Sequence, residues 1–410
     1  MIRLGDLVTL QGGGTPSRSE STFWNGDVPW ASVKDISSSR LTHTMESISS
    51  AGVRASATNV VPAGNVVVAT RMAVGRASIL EIDAAINQDL KALIPRAHAK
   101  VHPPYLIHLL TASTKYLESR ATGATVQGIR AEVLEELPVP HPVYADQVRI
   151  ADILDKADAI RGKRKEAIAL TEELLRSTFL EMFGDPMTNP KGWPVRLLGR
   201  LGDLDRGRSR HRPRNDPALL GGRYPLIQTG EVANCDGVIR SYEQTYSEFG
   251  LDQSKMWPAG TLCITIAANI AKTGILAFDA CFPDSVVGFT PKPDVTTEYL
   301  QYWMSFLQPI LERQAPQVAQ KNINLEILRA LGAPTPPPDR QRTFSRFVTE
   351  VRRTRTRMHS SFESADRLFS SLIAHAFSSQ LNAMEGVCCP PSKSRTSRAS
   401  PPDSTSTSRR

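Results

Sequence analysis

Apolar residues recur at mixed spacings of three and four through two long stretches of the chain, the period of an amphipathic helix. The first, residues 146–183, places Ile150, Leu154, Ala157, Ile160, Ile168, Leu175, Phe179 and Met182 on one stripe. The second, residues 339–381, does the same with Phe344, Phe347, Val351, Met358, Phe362, Ala365, Phe369, Leu372 and Ala376. Neither contains a proline, and each follows a proline-rich segment and an Asp (Asp146, Asp339) suited to cap a helix. The spacing approximates a heptad over about five repeats, which predicts coiled-coil packing. At 1.5 Å per residue each helix would span roughly 55–65 Å. Elsewhere the pattern is shorter. Apolar runs at 66–69 and 262–266, bounded by Pro-Ala-Gly turns, predict buried strands with neighbours at 77–82 and 275–278. Shorter helices are predicted from Tyr105, with Leu106, Leu109, Leu110 and Leu117 inward, and from Tyr299, with Leu300, Trp303, Leu307 and Leu311 inward.

These elements come twice, in the same order. "RLGDLVTLQGGGTPS" from Arg3 matches "RLGDLDRGRSRHRPR" from Arg200, and "VVPAGNVVVATRMAVGRASILEIDAA" from Val60 matches "MWPAGTLCITIAANIAKTGILAFDAC" from Met256. "YLIHLLTASTKYLESRATGATVQGI" matches "YLQYWMSFLQPILERQAPQVAQKNI", and "LEELPVPHP" and "LRALGAPTPPP" close each copy. One offset of roughly 194 to 197 residues serves every block, far too long for a solenoid period. The chain is a duplication. The predicted architecture is mixed α/β (α+β), with two similar domains separated by two long helices packed as an antiparallel coiled coil. Its boundaries are a first domain at 1–143, a central helix at 144–184, a second domain at 185–337 and a C-terminal helix at 338–381. Residues 382–410, rich in Ser, Pro, Thr and Arg, are expected to be disordered.

Composition sharpens this picture. Hydrophobic residues make up 40% and charged residues 22% of 410, the balance of a globular chain. The formal charge of +8 and pI near 9.3 favour a polyanionic partner. No apolar run approaches a membrane span, and Arg3 and Asp6 exclude a signal peptide, so a cytoplasmic chain with no membrane partner is expected. Five cysteines (Cys235, Cys263, Cys281, Cys388, Cys389) form no CxxC pair, which argues against a zinc site and for reduced thiols.

The motifs "LGDLVTLQGGGTPSR", "WNGDVPWASVKDIS", "INQDLKALIP", "LEELPVPHPVYADQVRIADIL" and "FLEMFGDPMTNPKGWP", in this order, resemble the specificity subunits of type I restriction-modification systems. The resemblance runs from Met1 to about Leu381. It implies two target recognition domains, each reading one half of a split sequence on double-stranded DNA. It implies helices that set the distance between the halves and dock the methylation (M) subunits, with a restriction/motor (R) subunit joining the assembly. Chemistry would then reside in the partners, leaving this chain without catalytic residues, metal or cofactor. Two departures stand out. The long helices begin "ADQ" and "PDRQ" where the family commonly has Glu-Gln, and the second copy replaces "GGGTPS" with an arginine-rich run.

Few residues offer catalytic chemistry. "HPPY" at 102–105 lacks the acceptor that an amino-methyltransferase aims at the base amine, and reads better as two prolines opening a helix. Asp89 and Lys91 have the (D/E)-x-K form of a nuclease metal site, but their repeat partners are Ser285 and Val287. "GGGTPS" lacks the Gly-Lys-Ser/Thr of a phosphate loop. The basic and amide residues carry more weight. Arg206, Arg208, Arg210, Arg212 and Arg214 alternate through nine residues, and arginine can fork onto a phosphate or a guanine edge. Gln127 and Arg130 occupy one copy where Gln320, Lys321, Asn322 and Asn324 occupy the other; they read as base-edge donors or as caps of the following helix. Arg71 and Arg76, matched to Asn269 and Lys272, flank the hairpin after the first predicted strand, and Arg18 and Lys34 complete the candidate DNA contacts. Arg352, Arg353, Arg355 and Arg357 on the second long helix read as a solvated or partner-facing surface. Two other readings compete: an autonomous DNA methyltransferase or nuclease, and a coiled-coil scaffold protein.

Overall fold

The structure, a computed structural model, describes residues 1–123, 127–267, 269–314 and 323–378. Gln320, Lys321, Asn322 and the Ser/Pro/Arg tail with Cys388 and Cys389 lie outside the described residues. The longest helices are α1 (Pro103–Ser119), α2 (Tyr144–Phe183), α3 (Thr297–Gln314) and α4 (Pro338–Ala376). The chain divides into two compact units, Met1–Lys163 with Phe362–Arg410, and Arg164–Ser361. Each unit therefore holds one copy of the repeat together with half of α2 and half of α4.

In the first unit a five-stranded sheet runs in the order Val8–Gly12, Leu90–Pro95, Val66–Ala69, Ala77–Leu80, Arg40–Leu41, antiparallel except for the last pair. Val66–Ala69 lies in the middle, and all four of its residues are buried. Alternate side chains serve different layers, as a strand's period of two dictates. Val66 and Val68 join Leu93, Ile79 and the α1 residues Tyr105, Leu106, Leu109 and Leu110, while Val67 and Ala69 join Leu80, Leu90, Ala84 and Ile86. Ala84 and Ile86 belong to a second sheet, ordered Glu46–Ile48, Trp24–Ala31, Ala84–Ile86, Asn59–Val61. Both faces of the central strand are covered, which is why the sequence there is an unbroken apolar run.

The second unit repeats this plan strand for strand. Its five-stranded sheet is ordered Gly202–Arg206, Val286–Pro291, Leu262–Thr265, Thr273–Leu276, Val238–Ile239. Its four-stranded sheet is Gln244–Tyr246, Leu220–Leu226, Ala280–Cys281, Met256–Trp257, with the same mix of parallel and antiparallel pairs. The duplication read from the sequence is thus a duplication of topology. The strand expected at 275–278 lies earlier, at Thr273–Leu276, because Phe278 has left the sheet to pack edge-on against Tyr242 at 5.3 Å.

The two long helices run in opposite directions. In the first unit Ala151 and Leu154 of α2 share a core with Phe369 of α4 and with Phe377 just beyond it. In the second, Leu175, Phe179 and Phe183 of α2 share one with Phe344, Val348 and Val351 of α4. Ion pairs repeat the arrangement. Arg161 bonds Asp366 at 3.2 Å in the first unit, and its counterpart Arg355 bonds Glu172 at 2.9 Å in the second. Ile160, expected on the packed stripe, is half exposed at 50%.

Each long helix starts earlier than its aspartate. Asp146 and Asp339 lie inside the first turns, where a carboxylate favours the positive helix end, and are not the caps. The following glutamine has the decisive role. Gln147 is fully buried; its Oε1 accepts from the His102 amide at 3.0 Å, and its Nε2 donates to the Lys100 and Pro142 carbonyls at 3.0 Å each. Gln341 does the same, accepting from Thr296 at 3.0 Å and donating to Pro336 at 2.7 Å and Asp294 at 3.5 Å. One amide in each copy thus ties the start of a long helix to the segment leading into α1 or α3. Removing it leaves buried backbone groups unpaired, at about 1–3 kcal/mol each. Gln147→Leu and Gln341→Leu are each expected to lower stability by about 2–4 kcal/mol in urea denaturation, with the double variant close to additive.

Candidate nucleic-acid interface

In each unit the loop after the first sheet strand crosses the ends of other strands under one steric rule. A Cβ at Gly13 would overlap the carbonyl oxygen of Ile86, and a Cβ at Gly207 would overlap that of Phe282. Beyond those glycines Gly14 N donates to Ile86 O at 3.0 Å, and Arg208 N donates to Phe282 O at 3.2 Å. The arginine-rich run of the second copy therefore takes the same path as the glycine-rich run of the first. What differs is the tie. In the first unit Thr15 Oγ1 is hydrogen-bonded to Gln88 Oε1. In the second Arg214 grips both oxygens of Asp284 at 2.7 and 2.9 Å, while Arg206 Nε donates to the Asp284 carbonyl at 3.0 Å.

The second element is the turn after the central strand. Met72 N donates to Gln127 O at 3.3 Å, and Ile129 N donates to Thr70 O at 2.8 Å, so residues 70–73 and 127–130 lie side by side. Arg71 forms an isolated bridge with Gly128, and its guanidinium stands 3.8 Å from Asp89. Met72 is 69% exposed with φ at +63°, a left-handed conformation that costs a non-glycine residue roughly 1–2 kcal/mol. Strain of this kind at an exposed turn marks a position held for a reason other than packing.

Several expected residues converge here and others do not. Arg71, itself beside Asp89, lies next to the segment that carries Gln127 and Arg130. Of the five alternating arginines, Arg206 and Arg214 are tied to Asp284, and Arg212 folds back onto the Ser209 and His211 carbonyls at 2.6 and 2.7 Å. Among the described residues, Arg208 and Arg210 are held through their backbones alone, Arg210 N donating to Gln253 Oε1 at 2.6 Å, and both residues are exposed. Arg18 is committed elsewhere. It forms a fork on Glu46 at 2.5 and 2.9 Å and stacks 3.6 Å over the Trp24 ring, and that hydrogen bond holds the Glu46 carboxyl below the usual carboxylate range. Lys34 is exposed near the same carboxylate.

Arg76 departs from the expected cluster. Its guanidinium donates to Ile36 O at 3.4 Å, and it lines a cleft of about 610 Å³ with His108, Asp155 and Phe369, on the α1–α2 side of the domain. The turn hydrogen bonds also correct the repeat pairing. Ala73 N to Arg71 O matches Asn269 N to Ala267 O, and Ala69 N to Arg76 O matches Thr265 N to Lys272 O. Lys272 is therefore the counterpart of Arg76, whereas Asn269 stands at Ala73 and Ala267 at Arg71. Asn324 caps the short helix after it, accepting from Ile327 N at 2.8 Å.

The motifs of catalytic form have structural partners. Pro103 and Pro104 open α1, and Tyr105 OH donates to Pro140 O at 3.1 Å from a buried site that pushes its pKa up to about 12. Tyr299 makes the equivalent bond to Pro334 at 2.7 Å. Asp89 accepts from Asn87 Nδ2 at 3.2 Å, and no group of three or more metal-ligating side chains surrounds it among the described residues. Sequence reasoning missed Gln88, Asp284 and Met72, because each gains its role from a contact with a distant loop.

Comparison with known proteins decides what this duplicated frame is. The family described as Type I restriction modification DNA specificity domain matches twice, over residues 1–170 and 190–360. The chain belongs to this family. Each of its two specificity domains takes in one copy of the repeat and more than half of the long helix that follows. Among relatives, the chain is 30% identical over 183 residues to the Type I restriction enzyme EcoR124I/EcoR124II specificity subunit of Escherichia coli, covering 43% of this chain and 45% of that one. It is 24% identical over 274 residues to the Type I restriction enzyme MjaIX specificity subunit of Methanocaldococcus jannaschii, covering 62% of each. The matched segments thus span less than two thirds of either relative. The fold resembles the crystal structure of a type I restriction-modification S subunit from M. genitalium, with a TM-score of 0.57 and 14% identity over 90% of this chain and 94% of that one.

The glycine rule of the two specificity domains can be tested directly. Gly13→Ala and Gly207→Ala are each expected to cost about 1–3 kcal/mol and to speed hydrogen exchange at the Gly14 and Arg208 amides, respectively, at least tenfold. Unchanged protection would show that the loops are not held at these points.

Proposed function

We propose that this chain is the non-catalytic DNA sequence-recognition subunit of a type I restriction-modification assembly, each specificity domain reading one half of a bipartite target. The observation that carries this reading is a contrast between two kinds of repeat position. Positions that hold the fold are the same in both copies: Gly13 and Gly207, Tyr105 and Tyr299, Gln147 and Gln341, Arg161 and Arg355. Positions on the loops differ: Gln88 against Asp284, Arg71 against Ala267, and Gly14, buried in the first copy, against the exposed Arg208 of the second. One scaffold carrying two unlike surfaces is what two unlike half-sites require. Arg71, Gln127 and Arg130 would face the first half-site, and Arg208 and Arg210 the second, with phosphate contacts supplying affinity and base-edge contacts supplying choice. Methylation and restriction subunits would supply the chemistry. Ile153 and Ile160, one heptad apart and about half exposed on α2, offer a methylation subunit an apolar docking stripe.

The test uses the chain co-expressed with its methylation subunits, read by methylome sequencing. Arg208→Ala with Arg210→Ala is expected to relax the second half of the methylated motif at one or two positions and leave the first half intact, since each lost base contact costs about 1–3 kcal/mol. Arg71→Ala is expected to do the converse. Both α2 and α4 run unbroken through the two units, so inserting one helical turn in each should change the gap in the motif without changing either half. A purified chain that methylated or cut DNA unaided would overturn the reading.

A further inference from the structure

The arginines of α4 separate into two sets with different environments. Arg352 and Arg355 point inward. Arg352 is 8% exposed and donates to Gln301 Oε1 at 2.6 Å, while Arg355 bridges Glu172 at 2.9 Å and Asp236 at 2.7 Å. Arg342, Arg346, Arg353 and Arg357 are exposed. At 100° per residue they fall within an arc of about 60° and extend over about 22 Å of helix. Arg342 pairs with Asp339 at 2.5 Å within its own turn, and Arg346 touches Thr343 Oγ1 at 3.5 Å. Arg353 and Arg357 have no counter-ion among the described residues, and Glu350 is the acid that flanks the stripe.

The fold does not require this stripe. At the matching positions α2 has Val148, Asp152, Ala159 and Lys163, and α2 forms a helix of 40 residues against 39 in α4. The inward Arg355, by contrast, has a counterpart in Arg161 that makes the same kind of ion pair. One copy of the repeat thus carries a one-sided row of exposed guanidinium groups, of which Arg353 and Arg357 have no counter-ion among the described residues, and packing leaves the row unexplained. A guanidinium fork fits phosphate oxygens, and four of them in line suit a polyanion better than an isolated acid.

We propose that Arg342, Arg346, Arg353 and Arg357 form a phosphate-binding track on α4 that grips the backbone of duplex DNA next to the second half-site. This rests on the recognition function proposed above and adds a contact that is independent of base sequence and lies outside the loops. Such a contact raises affinity for every duplex equally and steepens its salt dependence by about 0.9 per phosphate neutralised.

The experiment compares the wild-type complex with an Arg353→Gln, Arg357→Gln complex, each with its methylation subunits, on a cognate and a scrambled duplex between 50 and 300 mM salt. The track predicts a plot of log affinity against log salt that is shallower by about 2, with an equal loss on both duplexes and an unchanged methylated motif. Arg353→Gln alone should give about half the change. An unchanged slope would overturn the proposal. So would loss of the methylation subunits on size-exclusion chromatography with DNA affinity otherwise intact, which would make the stripe a protein-docking surface. A wild-type complex that failed to prefer the cognate duplex would sink the recognition reading separately, with the salt slopes still deciding the track.

Discussion

Everything in either unit depends on the antiparallel meeting of α2 and α4, because neither specificity domain closes its core without both. In the second unit Phe179 stacks on Tyr299 at 5.5 Å, lies 5.2 Å from Phe306, and meets Phe344 edge-on at 5.5 Å. One α2 side chain thus touches α3 and α4 together. In the first unit Phe369 meets His108 at 6.2 Å, and Phe377 meets Tyr105 at 5.4 Å. The residues completing the first domain come from a part of the chain more than 200 residues away, and those completing the second precede it. Fully buried aromatics of this kind stabilise by about 3–5 kcal/mol each, judged by their truncation. The helices are therefore part of each domain's interior as well as a connection, and the compact units divide in mid-helix, at residues 163/164 and 361/362, rather than at the ends of the repeats.

That dependence explains how much the sequence could reveal. The long helices, the central strands and the duplication were legible, because burial on a regular element leaves a period: Leu154, Leu175, Phe179, Phe344 and Phe369 all lie where the three-and-four spacing puts them. The two- and three-residue strands carry no period to read. Their pairing follows from topology, and the same plan of a five-stranded and a four-stranded sheet appears in both copies only once the chain is folded. The cap role expected of Asp146 and Asp339 was misplaced for a related reason. An Asp before an apolar run is a common cap, but here a glutamine one or two residues further on makes the long-range bonds, and nothing local distinguishes it.

The interface was less legible than the fold. Arginine in an extended loop announces positive charge without saying whether that charge is already spent. Arg214 is neutralised by Asp284, 70 residues away, and Arg18 by Glu46, whereas Arg208 and Arg210, two and four residues past Arg206, have no acidic partner among the described residues. The alternation that made the run noticeable in the sequence is what divides it in the structure, since tied and open side chains share one short loop.

The duplication offers a control that a single domain lacks. Where both copies spend the same residue on the same bond, the fold requires it; where one copy carries a feature that the other does without, the fold does not. The turn after the central strand shows how strict the first class is. Gly75 takes φ of +83° in the first unit, and Ala271 takes +56° at the matching place, accepting a conformation that disfavours any side chain. The hydrogen bonds from Gly75 to Ala69 and from Ala271 to Thr265 survive that cost, at 3.0 and 2.8 Å. A turn kept at the expense of strain, in a unit whose neighbouring loop has changed almost every residue, places the selective constraint on the backbone that presents the surface and the freedom on the side chains that compose it.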